Sequence, residues 1–204
     1  MKQGKLIVIS ILAISSFISY SQVNRVLFDE RDTTPKPMNN NHNKQALTLA
    51  NQTQINKWRV TDDGVMGGRS RGYLTLKEGY GLFTGEVSLA NNGGFTSIFT
   101  PINQLSLETK HISIDIEGDG QLYQLRLVTY INGYRLSYNT AIETLKNVRQ
   151  SITVPFSVFQ AGFRGRMIKN APNLSPEVIR EVGFLINKKQ AGPFSLAIFK
   201  IEFI

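Results

Sequence analysis

Apolar and polar residues alternate along much of this chain, most regularly at 111–117, where Ile112, Ile114 and Ile116 are interleaved with His111, Ser113, Asp115 and Glu117. A period of two places each set on one face of an extended strand, so this stretch predicts a half-buried β-strand ended by Gly118-Asp119-Gly120. The same period recurs at 73–76 and 81–87, joined through Glu78-Gly79, and at 122–130 and 134–138, which flank Asn132-Gly133. Asn-Gly is the sequence of a type I′ hairpin turn, whose two central residues take positive φ. Further strands are expected at 95–99, 151–154, 182–186 and 194–203, and an edge strand at 23–28. The last long run has Phe194, Leu196 and Ile198 on one face and Ala197, Phe199 and Ile201 on the other, which predicts a central strand covered on both sides.

Helical signals are few. Ser175-Pro176-Glu177 reads as a cap, a first-turn proline and an early acid, opening one or two turns through Arg180. Residues 44–56 have weak helical spacing and receive no assignment, and 164–173 read as irregular. Many short strands with glycine-rich turns give an all-β sandwich, with a closed barrel as the alternative.

Residues 1–21 depart from this pattern. Lys2 and Lys5 precede an apolar run at 6–18, and Ser19-Tyr20-Ser21 sets small residues at a signal-peptidase site. An export signal cleaved before Gln22 is expected, and the run is shorter than the roughly 20 residues of a membrane span. Residues 22–43, with Thr33-Thr34-Pro35-Lys36-Pro37 and the asparagines around His42, read as an N-terminal segment and linker, and 44–204 as the domain. The full chain has 23 Lys and Arg against 15 Asp and Glu, a charge of +8. Loss of Lys2 and Lys5 leaves 21 against 15, or +6. In an exported protein that charge suits an acidic polysaccharide or anionic lipid headgroups, or is simply a solvated basic face; without interleaved aromatic-basic motifs, nucleic acid is not an expected partner.

Candidate chemistry gathers at 58–70, where Gly64, Gly67 and Gly68 adjoin Asp62, Asp63 and the chain's single tryptophan, Trp58. Glycine takes positive φ without a Cβ clash, so the backbone turns sharply here. Two readings remain open: a surface turn with Trp58 and Met66 in the core, or the lip of a binding site with Asp62 and Asp63 as acceptors.

The order of landmarks from 58 to 204 resembles the complex I intermediate-associated protein 30 family. The residues that carry this are Trp58-x-Val60, Asp63-x-Val65-Met66-Gly67-Gly68-x-Ser70, Phe83-x-Gly85, Asn92-Gly93-Gly94-Phe95, Gly118-Asp119-Gly120 with Tyr123, Pro155-Phe156-x-x-Phe159, Gly183-Phe184 and Gly192-Pro193-Phe194. The resemblance implies a galactose-binding-domain-like jelly-roll β-sandwich with one short helix, and a binding protein rather than a catalyst. Its mitochondrial members are assembly factors for respiratory NADH dehydrogenase; an export signal separates this chain from that role. Phe99 stands where the family often has arginine, and Val148 where it often has tryptophan.

The residues point away from the common enzyme classes. There is no cysteine, only two histidines, and no His-Glu-x-x-His, Gly-x-Ser-x-Gly or phosphate loop. Paired carboxylates for glycoside hydrolysis would come from Asp62, Asp63, Asp115, Glu117 and Asp119, whose separations a sequence does not give. No catalytic residue, metal or cofactor is expected. The expected function is an exported binding protein for an envelope protein partner, as an assembly or maintenance factor, with a carbohydrate-binding module as the alternative. Candidate binding residues are Trp58, Asp62, Asp63, Met66, Gly67, Gly68, Ser70, Asn92, Asp119 and Tyr123; for a sugar, Arg126 and the tyrosines add hydrogen bonds and stacking surface.

Overall fold

A computed structural model describes residues 44–204 except 132, 164–165 and 188–190. The expected signal peptide, edge strand and linker lie outside the described residues. Thirteen strands form two sheets, and all their pairings are antiparallel.

The first sheet is built on the carboxy-terminal strand β13 (Gly192–Phe203), twelve residues long. On one side it pairs with β6 (His111–Gly118), which continues to β9 (Arg149–Pro155). On its other side it is shared by two strands. β4 (Tyr80–Val87) takes residues 192–198 and β1 (Gln45–Thr48) takes 200–203, while β3 (Arg71–Lys77) pairs outside β4.

The second sheet runs β11 (Arg166–Met167), β10 (Gln160–Phe163), β8 (Tyr134–Glu143), β7 (Leu122–Ile131), β12 (Ile179–Asn187), β5 (Phe95–Pro101) and β2 (Arg59–Asp62). Consecutive strands β12 and β13 lie in opposite sheets, and the two sheets close on each other as a jelly-roll sandwich. Ile112, Ile114 and Ile116 of β6 face Tyr123, Leu125 and Leu127 of β7 and Val182, Phe184 and Ile186 of β12 across one apolar core. Each such side chain removed from water contributes about 1.5–3 kcal/mol, which is what holds the sheets together.

The double apolar face of β13 has a different cause from the one its sequence suggests. The strand is central, but its pairing with β6 slips between Ile198 and Lys200. That irregularity shifts the phase by one, so Phe194, Leu196 and Ile198 before it and Ile201 and Phe203 after it all point into the same core. Phe199 is left outside, half-buried under the Tyr80 ring at 4.9 Å and the Arg149 guanidinium at 3.7 Å.

The helix is displaced from its expected place. Pro176–Val178 form a single 3-10 turn, the Ser175 side chain makes no cap bond, and β12 begins at Ile179. The α-helix, α1 (Gln52–Ile55), lies in the unassigned stretch, with the Asn51 side chain accepting a hydrogen bond from the Gln54 amide. It buries only Ile55. No described helix is long and apolar enough to cross a membrane.

Candidate functional site

The glycine loop connects β2 to β3 through a 3-10 turn at Asp63–Met66, after which Gly67 takes φ 86°. Its centre is Asp63, which is fully buried. One carboxylate oxygen accepts from the Ser70 amide at 2.9 Å; the other accepts from the Ser70 hydroxyl, from the Gly94 amide at 2.6 Å and from the Phe95 amide at 3.2 Å. Burial alone would raise this carboxyl, but the donors from Ser70, Gly94 and Phe95 outweigh it and hold the group below the ordinary aspartate range. Ser70 is also fully buried and accepts from the Ser88 amide. Asp63 therefore ties the glycine loop to the Asn-Gly-Gly turn before β5, leaving both its oxygens engaged inside the fold.

The other loop candidates divide. Trp58 packs half-buried against the core, as the surface-turn reading expects. Met66, expected in the core under one reading, is 68% exposed, beside Val65 at 75%. Gly68 lies against Asp63, Asn92 is exposed with φ 57°, and Asp62 accepts from the Thr96 hydroxyl.

Asp119 and Tyr123 form a separate cluster. Asp119 accepts from the Tyr123 hydroxyl at 3.1 Å, the Gln121 amide at 3.1 Å and the Ser195 amide at 2.8 Å, which fastens the start of β7 to β13. Tyr123 is fully buried, and burial together with the adjacent Asp119 pushes its phenol well above the ordinary range. No hydrogen bond or ion pair among the described residues joins this cluster to the Asp63 loop.

An open recess lies elsewhere, on the outer face of the seven-stranded sheet. It is a groove of about 620 Å³. The register sets one row of residues side by side across it: Arg59 of β2 opposite Phe99 of β5, then Gly183 of β12, Arg126 of β7, Asn139 of β8 and Gln160 of β10. A Cβ on Gly183 would lie 2.4 Å from the Phe99 ring, so glycine is what lets that ring lie across the sheet. Arg59 and Arg135 flank the ring, with guanidinium carbons 5.2 and 4.9 Å from its centroid. Both are bound by one carboxylate, Glu181, at 2.7 and 2.9 Å. Burial would raise Glu181, but the hydrogen bonds from Arg59 and Arg135 outweigh it and keep the group below the ordinary glutamate range. Where the family often has arginine, then, Phe99 sits between two arginines supplied by other strands, Arg59 from the adjacent β2 and Arg135 from β8, three strands away.

Arg126 lies deeper. Its Nε and one terminal nitrogen donate to the Gln124 side-chain oxygen at 3.1 and 2.6 Å, and no described carboxylate pairs with it. Burial, and then the charge of Arg135, pull it down to about 10. None of the ten candidates from Trp58 to Tyr123 lines this groove, whereas Arg126, expected as a polar partner for a sugar, does. Arg126 was named from the sequence as a hydrogen-bonding residue for a sugar; Arg59, Arg135 and Gln160 carry no motif of their own, and only the folded sheet brings them together.

A family model described as complex I intermediate-associated protein 30 matches residues 47–198. The chain belongs to the complex I intermediate-associated protein 30 family. Among solved structures, it is similar to a family 11 carbohydrate-binding module from Clostridium thermocellum in complex with a β-1,3-1,4-mixed-linked tetrasaccharide, at 15% identity and a TM-score of 0.59, over 78% of this chain and 95% of that one. It is also similar to the family 11 module of the cellulosomal cellulase Lic26A-Cel5E of the same organism, at 16% identity and a TM-score of 0.58, over 78% and 94%. At these identities the likeness is one of fold, and it agrees with the jelly-roll sandwich implied by the sequence.

Proposed function

We propose that this member of the complex I intermediate-associated protein 30 family is a non-catalytic, exported binding module whose seven-stranded sheet takes a glycan in its groove. The observation that carries the reading is the row from Arg59 through Phe99, Gly183 and Arg126 to Asn139 and Gln160. Guanidinium and amide groups set along a recess are what a sugar chain uses to hydrogen-bond its hydroxyls, and the buried Phe99 ring holds two of those guanidiniums in place. The tetrasaccharide complex of the similarly folded family 11 module supports this reading. Export rests on residues 1–21 alone.

The test is titration calorimetry of the purified protein against neutral and acidic oligosaccharides, with Arg126→Ala alongside. Binding that the variant loses, while keeping its melting temperature, supports the reading. Absence of heat across both sets overturns it.

A second reading, an assembly or maintenance factor for an envelope complex, is favoured by the exposed Val65 and Met66 at the tip of the glycine loop. Apolar side chains presented on a tethered turn suit a protein contact. Cross-linking to envelope proteins that disappears in the Val65→Ser, Met66→Ser double variant supports it; cross-links unchanged by that variant count against it.

A further inference from the structure

We propose that the groove selects an anionic polysaccharide, one bearing carboxylates along its chain, and that Arg126 is the residue that binds them. This rests on the glycan reading and narrows it to a substrate class.

The argument begins with charge. Arg59, Arg126 and Arg135 line the groove, and Arg166 stands exposed at its β11 side. Among the described residues no acidic side chain lines it, and the carboxylate next to it, Glu181, is committed to Arg59 and Arg135. Four guanidiniums against one carboxylate leave three positive charges unbalanced. A neutral sugar requires no such surplus, because its hydroxyls are satisfied by amides like those of Asn139 and Gln160. Clustered like charge in a partly desolvated recess is costly, and a bound anion relieves it.

Arg126 is also held ready. Gln124 accepts from Nε and one terminal nitrogen, which fixes the plane of the guanidinium without neutralising it. The remaining terminal nitrogen makes no hydrogen bond to a described residue. A planar guanidinium with a free edge matches a carboxylate, and a pre-fixed plane loses little entropy when one arrives. Arg59 and Arg135 each use a single terminal nitrogen on Glu181, so further donors remain on both sides of the Phe99 ring. The lowered proton affinity of Arg126 is what an unpaired, partly buried cation beside another cation should show.

The experiment measures affinity for an oligogalacturonate and for a neutral mixed-linkage glucan oligosaccharide of equal length, at low and at moderate salt. The acidic ligand should bind more tightly, and its affinity should fall as salt rises. Arg126→Gln should weaken the acidic ligand by roughly 10- to 100-fold, the worth of a charge-assisted hydrogen bond, with the neutral ligand far less affected. Arg126→Lys should restore part of that loss. Lys77→Gln, an exposed change on β3 of the other sheet, should leave it unaltered. Equal affinity for both sugars overturns the inference and leaves the glycan reading standing. An equal loss in the Lys77 variant also overturns it, because binding is then adsorption to a basic surface. No binding of either sugar removes the glycan reading itself.

Discussion

Gly68 and Asp63 are packed so closely that a Cβ added at Gly68 would lie 2.2 Å from an Asp63 carboxylate oxygen. No side chain fits there while Asp63 keeps its hydrogen bonds. Gly68→Ala should therefore push the carboxylate off its donors and lower stability by about 2–4 kcal/mol, the cost of overpacking plus orphaned polar groups. Urea denaturation measures this. Gly67→Ala is the comparison: that residue has open space around it but φ 86°, so its cost should be about 1 kcal/mol, from backbone strain alone.

Acid should loosen the same loop. Asp63 and Glu181 both have carboxyls held below their ordinary range in the folded state. Their contribution is therefore fully present above the unfolded values near pH 4 and is lost as pH falls through the lower folded values. The melting temperature should decline between about pH 5 and pH 2, with each such carboxylate contributing up to about 1.4 kcal/mol per pH unit. Asp63→Asn should melt lower at neutral pH and show a shallower acid decline. An unchanged slope would mean that Asp63 binds protons equally in both states.

Glu181 holds two arginines beside one phenylalanine, so its loss should act on the groove as well as on stability. Glu181→Ala leaves Arg59 and Arg135 unpaired and unfastened from Phe99. Because both arginines are partly in solvent, the stability loss should be modest, about 1–2 kcal/mol. Hydrogen exchange should rise at β2 and β5. If the variant binds acidic oligosaccharide as tightly as the parent, the Glu181 clamp has no part in shaping the site.

The Tyr123 and Asp119 pair should be structural. Tyr123→Phe removes one hydrogen bond and leaves Asp119 its backbone donors, at a cost of about 1 kcal/mol. Asp119→Ala orphans the Tyr123 hydroxyl and the Ser195 amide together and should cost about 2–3 kcal/mol. Neither change should alter ligand affinity once the protein is folded. A variant with parental stability but altered affinity would place this cluster in the site.

The strand pattern was legible because burial on one face of a sheet leaves a period of two in the chain, and nearly every predicted run became a strand. Where that logic failed, a local event had intervened. The irregularity at Phe199 shifted the phase of β13, and a proline-opened turn at Pro176 was too short to become an α-helix. The glycine loop was also recognisable as a turn, since Gly67 needs positive φ whatever surrounds it. Its role was not recognisable. An aspartate followed by a glycine reads the same whether it faces a ligand or three backbone amides from 94, 95 and 70, and those donors arrive from residues up to 32 positions away.

By itself, then, the order of residues determined an all-β sandwich and the family to which the chain belongs, because alternation and turn glycines are local properties. Only the tertiary structure formed the groove to which the proposed ligand is assigned. The row across the groove takes one residue from each of six strands, Arg59, Phe99, Gly183, Arg126, Asn139 and Gln160, and no motif in any one strand shows that they meet. What brings them into one groove is antiparallel register, which sets residues more than a hundred positions apart within a side chain's reach and leaves their charges with one described carboxylate, Glu181, to balance them.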